Sequence, residues 1–373
     1  MPKLNKVLNG LMFMDDFNST ALKMEYTLSS SDPERYSLTE RLGYLRLKHG
    51  GEPFLVLLDS PDTDFVFEIS NDYVPKLESD FSGMIAWKSM DDYVELLEWY
   101  DTNQDTAITY PYMRLEKVGL SYTGYGSQDG RTWSLIGTIK LPGAGKIGLI
   151  INGPQEEDSV PFDVDYIKVF RNKYLQITNL KPGYVVQLFS EESDLLEELV
   201  VGDMENGAKL DLTNYICPFN GKVRISNGTG EELLYSDIKV QQGDVYYYGD
   251  VLDVYHVTDS GEELLILTQD VFLGTMSGGN ILQRFRVHNN TQNDFHNVMI
   301  NVLPYDFNFG HQWVTLATED IETEEVGEFN KPLDLGDIPQ GESRYFWMKV
   351  TRDASHMIAS TDPYRFTLLV LND

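Results

Sequence analysis

Short runs of alternating apolar and polar residues, closed by turn pairs, set the strongest limit on how this chain can fold. "GYLRLKHG", "DFVFEIS", "GKVRISNG", "RFRVHN" and "RYFWMKV" all have the period of two that places successive side chains on opposite faces of a strand. Asp129-Gly130, Asn152-Gly153, Asn206-Gly207, Asn220-Gly221 and Asn227-Gly228 punctuate them, and such pairs tolerate the positive φ of tight hairpin turns. Helical periodicity is poor. "ESDLLEELVV" is the best short candidate, and it also reads as a strand with an acidic lead-in. The expected fold class is all-β, built as sandwiches.

At 373 residues the chain is long enough for two or three domains. A Pro-Gly turn opens a new run after "VDYIKVFRN", and another run begins after "GDVYYYGD". These breaks divide the chain into residues 1–172, 173–249 and 250–373. No repeat of fixed period is evident.

Charge narrows the function classes. Lys and Arg total 29 against 59 Asp and Glu, a formal net charge of −30. Binding phosphate needs clustered cations, so neither nucleic acid nor an anionic membrane is an expected partner. Cys217 is the only cysteine, which excludes an internal disulfide; in "YICPFNGKV" it reads as a buried small hydrophobe. The apolar part of "MPKLNKVLNGLMFMDD" is short and lacks a small-residue cleavage site, so no signal peptide is expected. No run approaches the roughly 18 apolar residues of a membrane helix.

Residues from about Asp15 to Arg171 carry an ordered set of motifs. These are Asp16-Phe17, Leu22, Tyr26, Tyr36-Ser37-Leu38 and Gly43-Tyr44-Leu45-Arg46-Leu47. "DFVFEIS", "FSGMIAWKSMDDYVELLEW", "SYTGYGSQDGRTWSLIG", "GKIGLIINGP" and "VPFDVDYIKVF" follow. In this order they resemble the concanavalin A-like β-sandwich found behind many glycoside hydrolase catalytic domains. The resemblance implies that Ser127-Gln128-Asp129-Gly130 is an architectural hairpin and that Trp133 packs on a sheet. The inserted Tyr125 departs from the pattern and is a candidate stacking platform. Residues 173–249 resemble a structural joining module. Residues 250–373, with "RFRVHNN" and "GDIPQGESRYFWMKV", resemble immunoglobulin-like modules. Both are similar to segments of tailed-phage virion proteins.

The candidate glycan site is "MIAWKSMDDYVELLEWYDTNQD". As a strand it places Tyr93, Glu95, Leu97 and Trp99 on one face, with Trp87 on the preceding strand. Such a face suits sugars, whose ring faces stack on aromatics while hydroxyls bond to carboxylates. The competing reading packs it beneath the second sheet. Tyr93, Glu95, Trp99 and Tyr125 are therefore the candidate glycan-binding residues.

Catalysis is not expected. Retaining glycosidases need carboxylates about 5 Å apart and inverting ones about 6.5–9.5 Å. Glu95 and Glu98 fall on opposite faces of one strand, and no E-x-D-x-x-E strand of the glucanase type occurs. Asp101, Asn103 and Asp105 imitate the start of a calcium loop, but Thr106 and Tyr112 stand where Gly and Glu are required. His256, His288, His296 and His311 lack zinc-ligand spacing. Trp313 and Trp347 read as core residues. No metal or cofactor is expected.

The expectation is a non-enzymatic bacteriophage virion protein of the tail, baseplate or capsid surface, made in the host cytoplasm and carried in the virion. Its partners would be other virion proteins, further copies of itself and a host cell-surface glycan. The alternatives are a bacterial glycan-binding accessory protein and a glycoside hydrolase with an unusual site.

Overall fold

The computed structural model describes residues 3–371 apart from 31, 259, 262, 266–272, 274–278, 305–308, 321–322, 324 and 352–365. Most of the run 269–279 and residues 362–365 lie outside the described residues. The described chain is all-β; its helical turns are 3₁₀ segments at Pro33–Arg35 and Phe309–Trp313. No helix among the described residues is long and apolar enough to cross a membrane.

Among the described residues, three hydrophobic cores lie between sheets, spanning Phe13 to Val169, Leu175 to Tyr248 and Leu252 to Val350. Each lies between two sheets, as alternation demands when one face of every strand is apolar. Around the first core, a six-stranded sheet runs Thr106–Ile108, Asp92–Asp101, Phe81–Ser89, Lys146–Asn152, Phe54–Asp59, Thr27–Leu28. Facing it is an eight-stranded sheet. Its order is Trp133–Lys140, Ser121–Ser127, Tyr112–Val118, Phe65–Asn71, Phe162–Phe170, Leu45–Leu47, Tyr36–Ser37, and Leu11–Asp15 also pairs with Phe162–Phe170.

The second core has two four-stranded sheets. One contains Val245–Gly249 between Lys3–Leu8 and Tyr174–Thr178, with Gly207–Asp211 beyond; the other runs Leu195–Val200, Val185–Ser190, Phe219–Ser226, Glu232–Val240. Lys3–Leu8, at the start of the chain, thus bonds antiparallel to Val245–Gly249 rather than to the first sandwich. Gly10 turns the chain from one to the other. Its N–H donates to Asp244 Oδ1 at 2.7 Å, and a Cβ there would stand 2.0 Å from the Gln242 carbonyl oxygen, so only glycine fits. The last core lies between a five-stranded sheet centred on Asn280–His288 and a three-stranded one centred on Phe295–Pro304.

"ESDLLEELVV" is a strand over Leu195–Val200. A register shift between Leu188 and Phe189 leaves Leu196 unpaired, so that Leu196 and Leu199 both pack on the middle core. Trp313 is buried in the last core as expected. Trp347 is not a core residue: it is half-buried on the face opposite Phe346, and its indole N–H donates to Glu319 Oε2 at 2.7 Å. Cys217 is buried, and burial pushes its thiol up to about 12.

Candidate functional site

The hairpin of Phe81–Ser89 and Asp92–Asp101 divides its side chains by parity. Val94, Leu96 and Glu98 point inward and are buried. Tyr93, Glu95, Leu97 and Trp99 occupy the outer face, opposite Trp87, Ile85, Gly83 and Phe81 respectively. The face is not packed under the second sheet: Tyr93 is 44% exposed and Trp99 43%.

The neighbouring strands supply the floor. Lys146–Asn152 puts Gly148 beside Ile85 and Ile150 beside Gly83. Phe54–Asp59 then adds Leu57 beside Gly148 and Leu55 beside Ile150. Leu55, Leu57, Ile85 and Ile150 form a buried apolar cluster of their own, flanked by Trp87 and Leu97. The runs "FLVLL" and "GLII" have no polar alternation because both faces of these strands are apolar. That continuity is the signal by which the floor could have been found from sequence.

Each end of the floor carries an aromatic. At one end the Trp87 and Tyr93 rings stack with centroids 5.9 Å apart and planes 13° from parallel. Beside them Lys146 Nζ lies 2.7 Å from Asp59 Oδ1. At the other end stands Trp99, six residues from Tyr93, or about 20 Å along an extended strand. Glu95 lies between them, and partial burial pushes its carboxyl above the usual range. Glu98 is on the opposite face, so these two carboxylates do not meet across a substrate.

Tyr125 is elsewhere. It lies on the eight-stranded sheet, paired with Arg114 and Leu135, and is half-buried beside Glu116. The structure therefore brings Tyr93, Glu95 and Trp99 together and separates Tyr125 from them. The hairpin that carries it is architectural. Asp129 accepts from the backbone N–H groups of Thr132 and Arg131, which hold its carboxyl at about 2, and Gly130 takes φ +69°. Trp133 packs on the sheet, 3.8 Å from the Arg114 guanidinium.

Asp101, Asn103 and Asp105 form the turn into Thr106–Ile108, where Asp101 accepts the Asn103 N–H at 2.9 Å. Among the described residues, no three His, Cys, Asp or Glu side chains converge as a metal site would require. In the last sandwich, Val257, Leu282, Arg284, Glu319 and Trp347 line a cavity of about 330 Å³. The Glu319 carboxylate there accepts from both Arg284 and Trp347.

No family model matches the sequence, and no curated protein matches it. Among solved structures, the chain is similar to a xylan β-1,4-xylosidase of Bacillus halodurans C-125 (20% identity, TM-score 0.38, 42% of this chain and 38% of that one). It is also similar to a GH43 protein of Bacillus licheniformis (16%, TM-score 0.37, 42% and 39%). A third is the bifunctional GH43-CE protein of Bacteroides eggerthii (20%, TM-score 0.35, 52% and 31%). The chain spans about two-fifths or less of each of these structures. The expectation that the chain is not an enzyme is corrected: the structures it is similar to are a xylosidase and GH43 proteins. A missing motif within one sandwich does not decide what a whole protein does. None of the structures named is a phage virion protein, so they lend the virion expectation no support.

Proposed function

We propose that the first sandwich binds an uncharged polysaccharide along the outer face of its six-stranded sheet, in the service of glycoside hydrolysis. One observation carries the binding face: exposed Tyr93, stacked on half-buried Trp87, at one end and exposed Trp99 at the other, on an apolar floor with Glu95 between them. Aromatic platforms take up the apolar faces of sugar rings, and a half-buried carboxyl offers hydroxyls a directional partner. The separation of about 20 Å suits a chain of several sugars rather than one. The net charge of −30 disfavours anionic glycans.

The test is affinity electrophoresis or calorimetry of the whole chain with soluble xylan, a β-glucan and polygalacturonate. Binding to a neutral polymer and not to polygalacturonate is expected. Trp99→Ala and Tyr93→Ala should each weaken it about tenfold. Tyr125→Ala, on the other sheet, should leave it unchanged. Equal loss from Tyr125→Ala, or no binding to any neutral polymer, would refute the assignment.

A further inference from the structure

Two edge strands of this chain carry exposed apolar side chains and opposite charge. The first is Trp133–Lys140, the last strand of the eight-stranded sheet. Residues 134–140 are all exposed; Leu135 is 65% exposed, Ile139 54% and Ile136 41%. Val118 and Leu120, at the turn between the two preceding strands, extend the patch. A solvent-facing strand edge with three large aliphatics is a template for pairing with another chain, and soluble proteins ordinarily blunt or cover such edges.

This strand lies in acid-free sequence. Residues 130–155 contain Arg131, Lys140 and Lys146 and no Asp or Glu, although the chain holds 59 acids. Among the described residues, neither Arg131 nor Lys140 is in an ion pair. Arg131 precedes the strand and Lys140 ends it, so the apolar edge is framed by two unneutralised cations.

The second edge is Leu195–Val200, at the end of the sheet it forms with Val185–Ser190. Leu195 is 53% exposed and Val200 59%. Residues 191–200 contain Glu191, Glu192, Asp194, Glu197 and Glu198 and no cation. Among the described residues none of these five is in an ion pair. Glu197 accepts only from the Tyr215 hydroxyl, at 3.1 Å, and Glu198 from the Gln187 amide.

We infer that Trp133–Lys140 of one copy docks beside Leu195–Val200 of a second copy of this chain. Each edge buries the other's aliphatics, and Arg131 and Lys140 meet the acidic run. Pairing of Trp133–Lys140 with itself is disfavoured by the same charges, because it would place like cations together without acids to offset them. The contact joins two different edges of the chain. Reciprocated across a two-fold axis it gives a dimer; unreciprocated, it closes into a ring or continues as a filament. This inference is independent of the glycan face, which lies on the other sheet.

Sedimentation velocity of the whole chain over a range of concentration and salt tests it. Association that grows with concentration and weakens with salt is expected. Leu135→Lys should weaken it about tenfold or more. So should the pair Glu192→Lys/Glu198→Lys, at the other edge. The deciding arm mixes this pair with Arg131→Glu/Lys140→Glu. Each double variant alone should stay monomeric, and the mixture should reassemble, since charge reversal restores complementarity between unlike copies. A chain monomeric at every concentration would overturn the inference, leaving the edge for a different protein. So would association lost only with the Trp133–Lys140 variants, which would indicate like-with-like pairing, or a mixture that fails to reassemble.

Discussion

Glu98 gives the sharpest test of how the first sandwich is held together. It sits on the inner face of Asp92–Asp101, directly opposite Ser82, with no exposed surface. Its Oε1 accepts the Tyr110 backbone N–H, and its Oε2 has no hydrogen-bond partner. Burial therefore dominates and raises its carboxyl from 4.5 to about 8, against the opposing pull of the Tyr110 N–H and the nearby Asn71 side chain. A displacement of that size corresponds to about 5 kcal/mol between the charged and neutral forms. Between pH 4.5 and 8 the folded chain keeps a proton that the unfolded chain has released. Stability must then fall as pH rises through this window and level off above it. Glu98→Gln keeps the acceptor for Tyr110 and removes the ionisation. It should match the parent near pH 4.5 and exceed it by several kcal/mol above pH 8. Because the chain has three separate cores, the readout should be local: hydrogen exchange of the slowest amides in Phe81–Ser89 and Asp92–Asp101 at steps across the window. A glutamine variant with the parent's pH slope, or one less stable than the parent at pH 8, would refute the reasoning.

Two further tests concern the eight-stranded sheet. Arg114→Ala removes the partner of buried Glu68, whose Oε2 lies 2.7 Å from the Arg114 guanidinium, and uncovers Trp133. It should cost about 3–5 kcal/mol in denaturant unfolding, and a loss below 1 kcal/mol would show that water replaces the pair. Burial alone would raise the Asp163 carboxyl, but Arg46 (2.8 Å) and Arg41 (3.0 Å) overcome it and hold it below its usual range. The stability it contributes is present above the ordinary carboxylate range and lost as pH falls through the lowered value. Asp163→Asn should therefore be less stable than the parent at neutral pH, and the gap should narrow in acid; a gap constant with pH would assign the effect to packing instead.

Where side-chain parity was regular, the sequence was legible. "DYVELLEWYD" separates into Val94, Leu96 and Glu98 on one side and Tyr93, Glu95, Leu97 and Trp99 on the other, and the structure keeps that division. Parity cannot say which face meets the core when both are partly apolar. Here the inward face holds a carboxylate, and the outward face is finished by Leu55, Leu57 and Ile150 from strands distant in sequence. The helix-like spacing of Leu196 and Leu199 has a local cause: a bulge turns two residues three apart to one side, which imitates a helical period. The pairing of Lys3–Leu8 with Val245–Gly249 spans about 240 residues. No local pattern encodes a partner at that separation. Tyr125 was a separate candidate platform in the Asp129-Gly130 hairpin; that hairpin is readable from its turn residues, but the layer it joins is not.

The sandwich has two outer faces, and the packing of the chain leaves one of them open. The outer face of the eight-stranded sheet is already occupied. Glu68 pairs with Arg114 and accepts the Tyr166 hydroxyl at 2.9 Å, while Trp133 lies over the guanidinium. The middle unit then reaches the same face: Lys168 Nζ donates to the Cys217 carbonyl at 3.5 Å, and Lys173 Nζ lies 3.8 Å from Glu116. An extended ligand would have to displace a buried ion pair to settle there, which costs more than sugar stacking returns. On the six-stranded sheet the exposed aromatics lie over a floor of aliphatic side chains with no buried charge to disturb. The polar network on one face and the aliphatic floor on the other thus assign opposite roles to the two sheets. That division, more than any single aromatic, is why a glycan is expected at Tyr93, Glu95 and Trp99 and not at Tyr125.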